Sequence, residues 1–263
     1  MAAPHRDLAL AVALDDLADR ETMRRWSPDG VASTSKADGS PVTAADVAAE
    51  EAVLEAVRAA HPDDGFLGEE VGERVGTTGR RWIVDGIDGT RFFAAGRSTW
   101  GTLIALEDRG VVVLGVASSP AQDRRWWARR GDGAFTGSCS TTVGARRLRV
   151  AARRDLRPDL VVCLPSHARL SPQRQQIVSD LAPGAPHDRP WSHQLRVADG
   201  EVDLCVWFAG DVWDHAAPSV IVEEAGGRFT DHSGGRRLDT RTAVYSNGAR
   251  HDEVVEALCH ADD

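Results

Sequence analysis

Lysine is almost missing from this chain. Of its 31 lysine and arginine residues only one, Lys36, is a lysine. Positive charge is in short supply as well: 40 acidic residues leave a net charge of −9. Nucleic-acid binders usually carry a basic patch. Here the arginines are scattered among acids and read as solvated surface, so no nucleic-acid partner is expected. Cysteine is sparse. Cys139, Cys163, Cys205 and Cys259 lie far apart, with no C-x-x-C pair. That excludes a zinc knuckle or disulfide framework and points to reduced thiols. Long apolar runs are missing too. The longest, residues 111–117, is too short to span a bilayer. Asp7, Asp15 and Asp16 interrupt the N-terminal region, so no signal peptide is expected there. The expectation is a soluble, cytoplasmic protein with no membrane partner.

What is present reads as alternating helix and strand. A length of 263 residues suits one large domain, with subdomains near 1–148 and 149–263. Residues 6–26 have helical spacing. A second helix opens at Thr43-Ala-Ala-Asp46 and reaches about Ala60, with Val47, Val53, Leu54 and Val57 on one face. Residues 72–79, rich in glycine and acid, read as a mobile surface loop. Arg81-Trp82-Ile83-Val84 reads as a strand running into Asp85. Residues 100–106 and 111–117 read as two strands, and 126–128 with 133–135 as a hairpin. Further strands are expected at 160–164, 202–208 and 244–246, and helices at 171–181, 215–225 and 252–258. Gly226-Gly227 forms a helix stop. The fold class is therefore layered α/β.

Four acidic loci carry the chemistry: Asp46, Glu69 with Glu70, Asp85 with Asp88, and Asp214. The string Trp82-Ile83-Val84-Asp85-Gly86-Ile87-Asp88-Gly89-Thr90 ends a buried strand in one carboxylate and supplies another three residues later in a glycine-flanked turn, a geometry that lets Asp85 and Asp88 converge on one point. Carboxylates gathered without basic partners repel one another unless a hard, oxygen-seeking cation such as Mg²⁺ neutralises them. The Ile87 carbonyl is an extra candidate ligand, and amides after Gly89 could face a phosphate. Several residues keep two readings. Glu69 fits a metal ligand or a solvated loop acid. Asp214 fits a ligand, a helix N-cap or both. Asp46 fits the third position of a capping box with Thr43, an electrostatic role, or both. Lys36 is read as functional, because an ammonium is not interchangeable with a guanidinium.

Together these pieces resemble the inositol monophosphatase superfamily. The matching segments are Ser40-Pro41-Val42-Thr43-Ala44-Ala45-Asp46, Gly68-Glu69-Glu70, the string from Trp82 to Thr90, and Trp213-Asp214 followed by Glu224-Ala225-Gly226-Gly227. The resemblance implies an α/β/α/β/α sandwich and a homodimer that hydrolyses a phosphate monoester with two or three Mg²⁺ ions. It implies Glu69, Asp85, Ile87 (through its carbonyl), Asp88 and Asp214 as metal ligands. Thr90 would position the attacking water, oriented by Asp46, with Lys36 near the metal loop. Gly89 and Thr90 would contact the phosphate. Glu69, Ile87, Asp88, Asp214, Arg189 and Trp207 complete the substrate-binding set.

Within the superfamily, the N-terminal half is most similar to actinobacterial-type histidinol-phosphate phosphatases. Leu103-Ile104-Ala105-Leu106, Gly115-Val116-Ala117-Ser118-Ser119-Pro120-Ala121 and Arg124-Arg125-Trp126-Trp127-Ala128 carry that likeness. Histidinol phosphate is therefore the expected substrate. The alternatives are an inositol, cyclitol or sugar phosphate, or a non-catalytic phosphate-binding role. Three places depart from the pattern, one of them the stretch Arg189-Pro190-Trp191-Ser192-His193, which lacks the small residues common in inositol phosphatases. Gly86 stands where proline is usual, implying a looser metal turn. Trp207, seven residues before Asp214, stands where a substrate-contacting glutamate is common. Trp207 reads equally as a stacking surface for the substrate and as buried core at a strand end.

Overall fold

A computed structural model describes residues 5–141, 144–152, 160–163, 171–181 and 193–259. Helix α1 (His5–Met23) leads to a small ribbon of β1 (Thr34–Ser35) and β2 (Pro41–Val42), and then to α2 (Ala44–Ala60). Next come β3 (Gly65–Gly68), β4 (Gly72–Arg74), β5 (Arg80–Asp88) and the short α3 (Thr90–Ala94). A meander follows through β6 (Gly101–Asp108), β7 (Val111–Ser119), β8 (Arg124–Arg129), β9 (Gly133–Gly137) and β10 (Arg146–Arg147). The second half holds β11 (Leu160–Cys163), α4 (Pro172–Leu181), α5 (His193–Ala198), β12 (Leu204–Trp207) and α6 (Val212–Glu224). It finishes with β13 (Arg228–Thr230), β14 (Ala243–Ser246) and α7 (His251–Cys259).

The strands form an eight-stranded sheet, ordered β10-β9-β8-β7-β6-β5-β3-β4, and a four-stranded sheet, ordered β11-β12-β14-β13. Side chains alternate faces along a strand, and the large sheet uses both. Trp82, Val84, Ile104 and Leu106 pack with Ala11, Leu14, Ala49 and Val53 of α1 and α2. The intervening Ile83, Leu103 and Ala105 pack the other way, with Leu195 of α5 and Ala217, Val220 and Ile221 of α6. Cys205 and Tyr245 of the small sheet close that same core. Helix α7 packs on β14 and against α4. The result is the layered α/β/α/β/α order expected from the sequence.

One glycine fixes the spacing of two layers. A Cβ on Gly115 would lie 2.7 Å from the Ala217 carbonyl oxygen and 2.9 Å from Val220 Cγ1. Helix α6 therefore rests directly on the β7 backbone, a close approach that only glycine allows.

Two local expectations need correction. The 72–79 segment is not simply a loop, because β4 pairs antiparallel with β3. Helix α6 begins at Val212 with Asp211 as its N-cap, so Asp214 is a first-turn residue rather than the cap. The C-terminal stop stands where it was expected. The Gly227 N–H donates to the Val222 carbonyl and the Gly226 N–H to the Glu223 carbonyl, a Schellman closure with Gly226 at φ +93°. Cys139, Cys205 and Cys259 form no disulfide. Among the described residues, no helix is long and apolar enough to cross a membrane.

Candidate active site

On a regular strand, residues 85 and 88 would point to opposite faces, because their separation is odd. Strand β5 avoids this with a bulge. Asp85 pairs with Leu103 and Asp88 with Gly101, so the register shifts between them. Three steps on β5 match two on β6, and the extra residue resets the alternation. Gly89, at φ +86°, then turns the chain into α3. The first turn of α6 brings the third acid. Carboxylate oxygens of Asp85, Asp88 and Asp214 lie within 4.8 Å of one another. Asp214 also ties its own helix: the Asp211 N–H donates to Asp214 Oδ2 at 2.6 Å.

This cluster is electrostatically unbalanced. Burial, then the charges of Glu69, Asp88 and Asp214, hold the Asp85 carboxyl well above its ordinary value. Burial and Asp88 do the same to Asp214. Burial also raises Glu69, which Lys36 partly offsets. Lys36 Nζ donates to Glu69 Oε1 at 2.6 Å and pairs with Glu70 Oε1. The single lysine sits in the β1–β2 turn, where its N–H donates to the Ser40 carbonyl, and it reaches across to the 69–70 acids. Burial pulls the ammonium down, but the Glu69 and Glu70 contacts outweigh it and raise its pKa. An all-oxygen donor set with buried, mutually repelling carboxylates fits a hard divalent cation.

Beside the cluster stands a hydroxyl–carboxylate pair. Thr90 Oγ1 donates to Asp46 Oδ1 at 2.8 Å and also lies 3.0 Å from the Ile87 carbonyl oxygen. Asp46 Oδ2 accepts from the Thr43 N–H at 2.9 Å and from Thr43 Oγ1 at 2.5 Å. Asp46 thus completes the capping box with one oxygen and holds Thr90 with the other. The Ile87 side chain packs with Phe93 and Trp100.

The residues expected on the substrate side are placed less uniformly. Trp207, at the end of β12, packs against the central core. Its ring stands edge-on to His215, with centroids 5.4 Å apart. His215 is buried, with Nδ1 2.9 Å from the Tyr245 hydroxyl, and burial lowers its pKa to about 3. Arg189 falls outside the described residues.

Sequence reading missed Glu50. It lies one helical turn beyond Asp46 on α2 and is fully buried. It accepts hydrogen bonds from the backbone N–H groups of Glu69, Glu70, Val71 and Gly86. Burial pushes its carboxyl up to about 7, against the pull of those amides. The signal was available: a glutamate occupies a core-facing position between Ala49 and Val53. Gly86 is not loose either. Its N–H is bonded to Glu50 at 3.3 Å, and a Cβ there would lie 2.9 Å from the Asp46 carbonyl oxygen.

Comparison with known proteins agrees with this picture. The model of the Inositol monophosphatase family matches residues 6–262. A histidinol-phosphatase of Mycobacterium tuberculosis is 40% identical, covering 97% of this chain and 98% of the relative. A histidinol-phosphatase of Streptomyces coelicolor is also 40% identical, covering 96% of each. The crystal structure of the extragenic suppressor protein suhB from Bartonella henselae superimposes with a TM-score of 0.82 at 28% identity, covering 96% of this chain and 98% of that one.

Proposed function

The chain belongs to the inositol monophosphatase family and is a phosphoric monoester hydrolase, and from that premise we propose that it hydrolyses histidinol phosphate with Mg²⁺. The observation that carries the reading is the convergence of Asp85, Asp88 and Asp214 beside the Thr90–Asp46 pair. Asp85, Asp88, Asp214, Glu69 and the Ile87 carbonyl would hold the cations. When bound, Mg²⁺ acidifies water and neutralises charge on the phosphoryl oxygens.

The chain's own residues supply the orientation. Asp46 accepts a hydrogen bond from the Thr90 hydroxyl, which leaves a lone pair on Thr90 Oγ1 to accept one from the attacking water. That fixes the direction of the water's own lone pair. Asp46 is held rigid by Thr43, so the pair is pre-set before substrate arrives. Gly89 and Thr90, at the opening of α3, supply amides for the phosphate. Lys36 balances Glu69 and Glu70 and keeps a positive charge beside the anion's seat. A covalent intermediate is not required.

The two histidinol-phosphatases at 40% identity over nearly the whole chain support the substrate. Trp207 packs against the core, edge-on to His215; any part of its face that met substrate would suit an imidazole better than a polyol needing several hydrogen bonds. The second reading, an inositol or related cyclitol or sugar phosphate, follows from the family as a whole. The test is phosphate release at one Mg²⁺ concentration from histidinol phosphate and from inositol 1-phosphate. A higher kcat/KM for histidinol phosphate is expected. Equal values, or a preference for the inositol ester, would overturn the substrate and leave the hydrolase in place.

A further inference from the structure

Three consecutive backbone N–H groups, at Glu69, Glu70 and Val71, meet at a single acceptor. Buried amides need acceptors, and leaving one without is costly. The acceptor is Glu50. Its Oε1 takes the Glu69 N–H at 3.1 Å, and its Oε2 takes those of Glu70 at 2.8 Å and Val71 at 3.0 Å. Oε1 reaches further, to the Gly86 N–H at 3.3 Å. Gly86 follows Asp85 directly, inside the β5 bulge. One carboxylate therefore joins the loop that carries Glu69 to the strand that carries Asp85.

The glycines around it are cut to fit. A Cβ on Gly68 would lie 2.4 Å from Glu50 Oε2, and one on Gly86 would lie 3.1 Å from Glu50 Cγ. The glycine of the Gly68-Glu69-Glu70 segment thus admits the carboxylate to the backbone. At position 86 a proline would have no N–H to offer, whereas glycine both donates and clears the space. Glu50 and Asp46 are four residues apart on one face of α2, so one helix holds both halves of the site.

We propose that Glu50 is a positioning residue for the metal site, clamping the 69–71 loop to the Gly86 bulge and so setting the separation of Glu69 and Asp85. This rests on the reading that the cluster holds a divalent cation. Glu50 itself is not a ligand, because both of its oxygens are committed to backbone amides.

Glu50→Gln tests it. In the amide, one oxygen position becomes an NH₂ group that faces N–H donors. Hydrogen exchange on the metal-free protein should show protection lost at residues 69–71 while α6 and β6 keep theirs. Calorimetric titration with Mg²⁺, and with Mn²⁺ as a second probe, should show binding weakened by about 10–100-fold. The metal concentration giving half-maximal phosphate release should move by the same factor, with kcat at saturating metal changed far less. Gly68→Ala keeps the charge but pushes the carboxylate away, and should give the same metal shift. Combined with Glu50→Gln it should add little, because both disturb one contact.

Unchanged metal affinity in a folded Glu50→Gln protein overturns the clamp and leaves the hydrolase reading intact. Loss of folding in both variants also overturns it, making Glu50 a folding residue. A wild type that binds metal without releasing phosphate fails the hydrolase reading, and the clamp is then decided by the titration. A wild type that binds neither metal ends both.

Discussion

Thr90 Oγ1 and Asp46 Oδ1 meet at 2.8 Å across 44 residues of sequence. The contact ties the start of α3 to the first turn of α2. Asp46 spends its other oxygen on Thr43, so it is held from both sides. Thr90 is thereby fixed through a helix that carries none of the proposed metal ligands.

Thr90→Ala should lower kcat by about 10²–10⁴-fold, the range for a group that aligns a reacting proton or water. The Mg²⁺ concentration for half-maximal rate should stay near its wild-type value. Steady-state kinetics over a Mg²⁺ series would check this. A loss confined to KM would make Thr90 a plain phosphate contact.

Asp85→Asn should cost on the order of 100-fold or more in activity and weaken metal binding by at least a similar factor. In chelator the variant should melt higher than wild type at pH 8. Asp85 has a folded pKa raised above its usual 3.8. The folded state therefore binds more protons than the unfolded one above pH 3.8, and stability falls as pH rises through that window. Removing the acid removes the penalty, so the gap should close toward pH 4. Added Mg²⁺ should reverse the order by stabilising only the wild type. Melting curves at both pH values, with and without Mg²⁺, would show it. A metal-free variant no more stable than wild type at pH 8 would contradict the electrostatic account.

His251→Gln isolates a different pH response. The ring is buried, with Nε2 2.9 Å from Thr230 Oγ1 and Nδ1 2.7 Å from Ser246 Oγ. Burial, then Arg228, lowers its pKa from 6.5 to about 4. Between those values the unfolded chain takes up a proton that the folded ring refuses, so acid destabilises wild type. Glutamine has no such proton. The variant should be less stable than wild type at pH 8, with the difference shrinking by roughly 1–3 kcal/mol near pH 4.5. Urea unfolding at the two pH values measures it, and a constant difference would sink the idea.

Gly115→Ala should cost roughly 1–3 kcal/mol by overpacking, because the new methyl meets the α6 backbone at 2.7 Å. Since α6 carries Asp214, metal affinity should fall with it. Denaturant unfolding and a metal titration check the two effects. A variant as stable as wild type would show that α6 shifts freely on the sheet.

The parts legible in the sequence are those whose causes lie within a few residues. Alternation and apolarity announce β5. Thr43 and Asp46 announce their own capping box, and Gly226-Gly227 the end of α6. The acidic segments are recognisable as chemistry because carboxylates gathered in glycine-rich settings repel one another unless a cation neutralises them. Other features depend on partners far away in the chain. The glycine-flanked turn announces that Asp85 and Asp88 converge, but nothing local shows that β5 reaches this by slipping one residue against β6. Asp214 joins them because α6 lies flat on β7 at Gly115, a contact between residues about a hundred apart. Glu50 looked like one more helix glutamate. Its burial and four amide partners exist only once β3 and β5 are laid side by side against α2. Periodicity and capping are local hydrogen-bond economics; convergence is a matter of packing, and packing was decided by the tertiary structure.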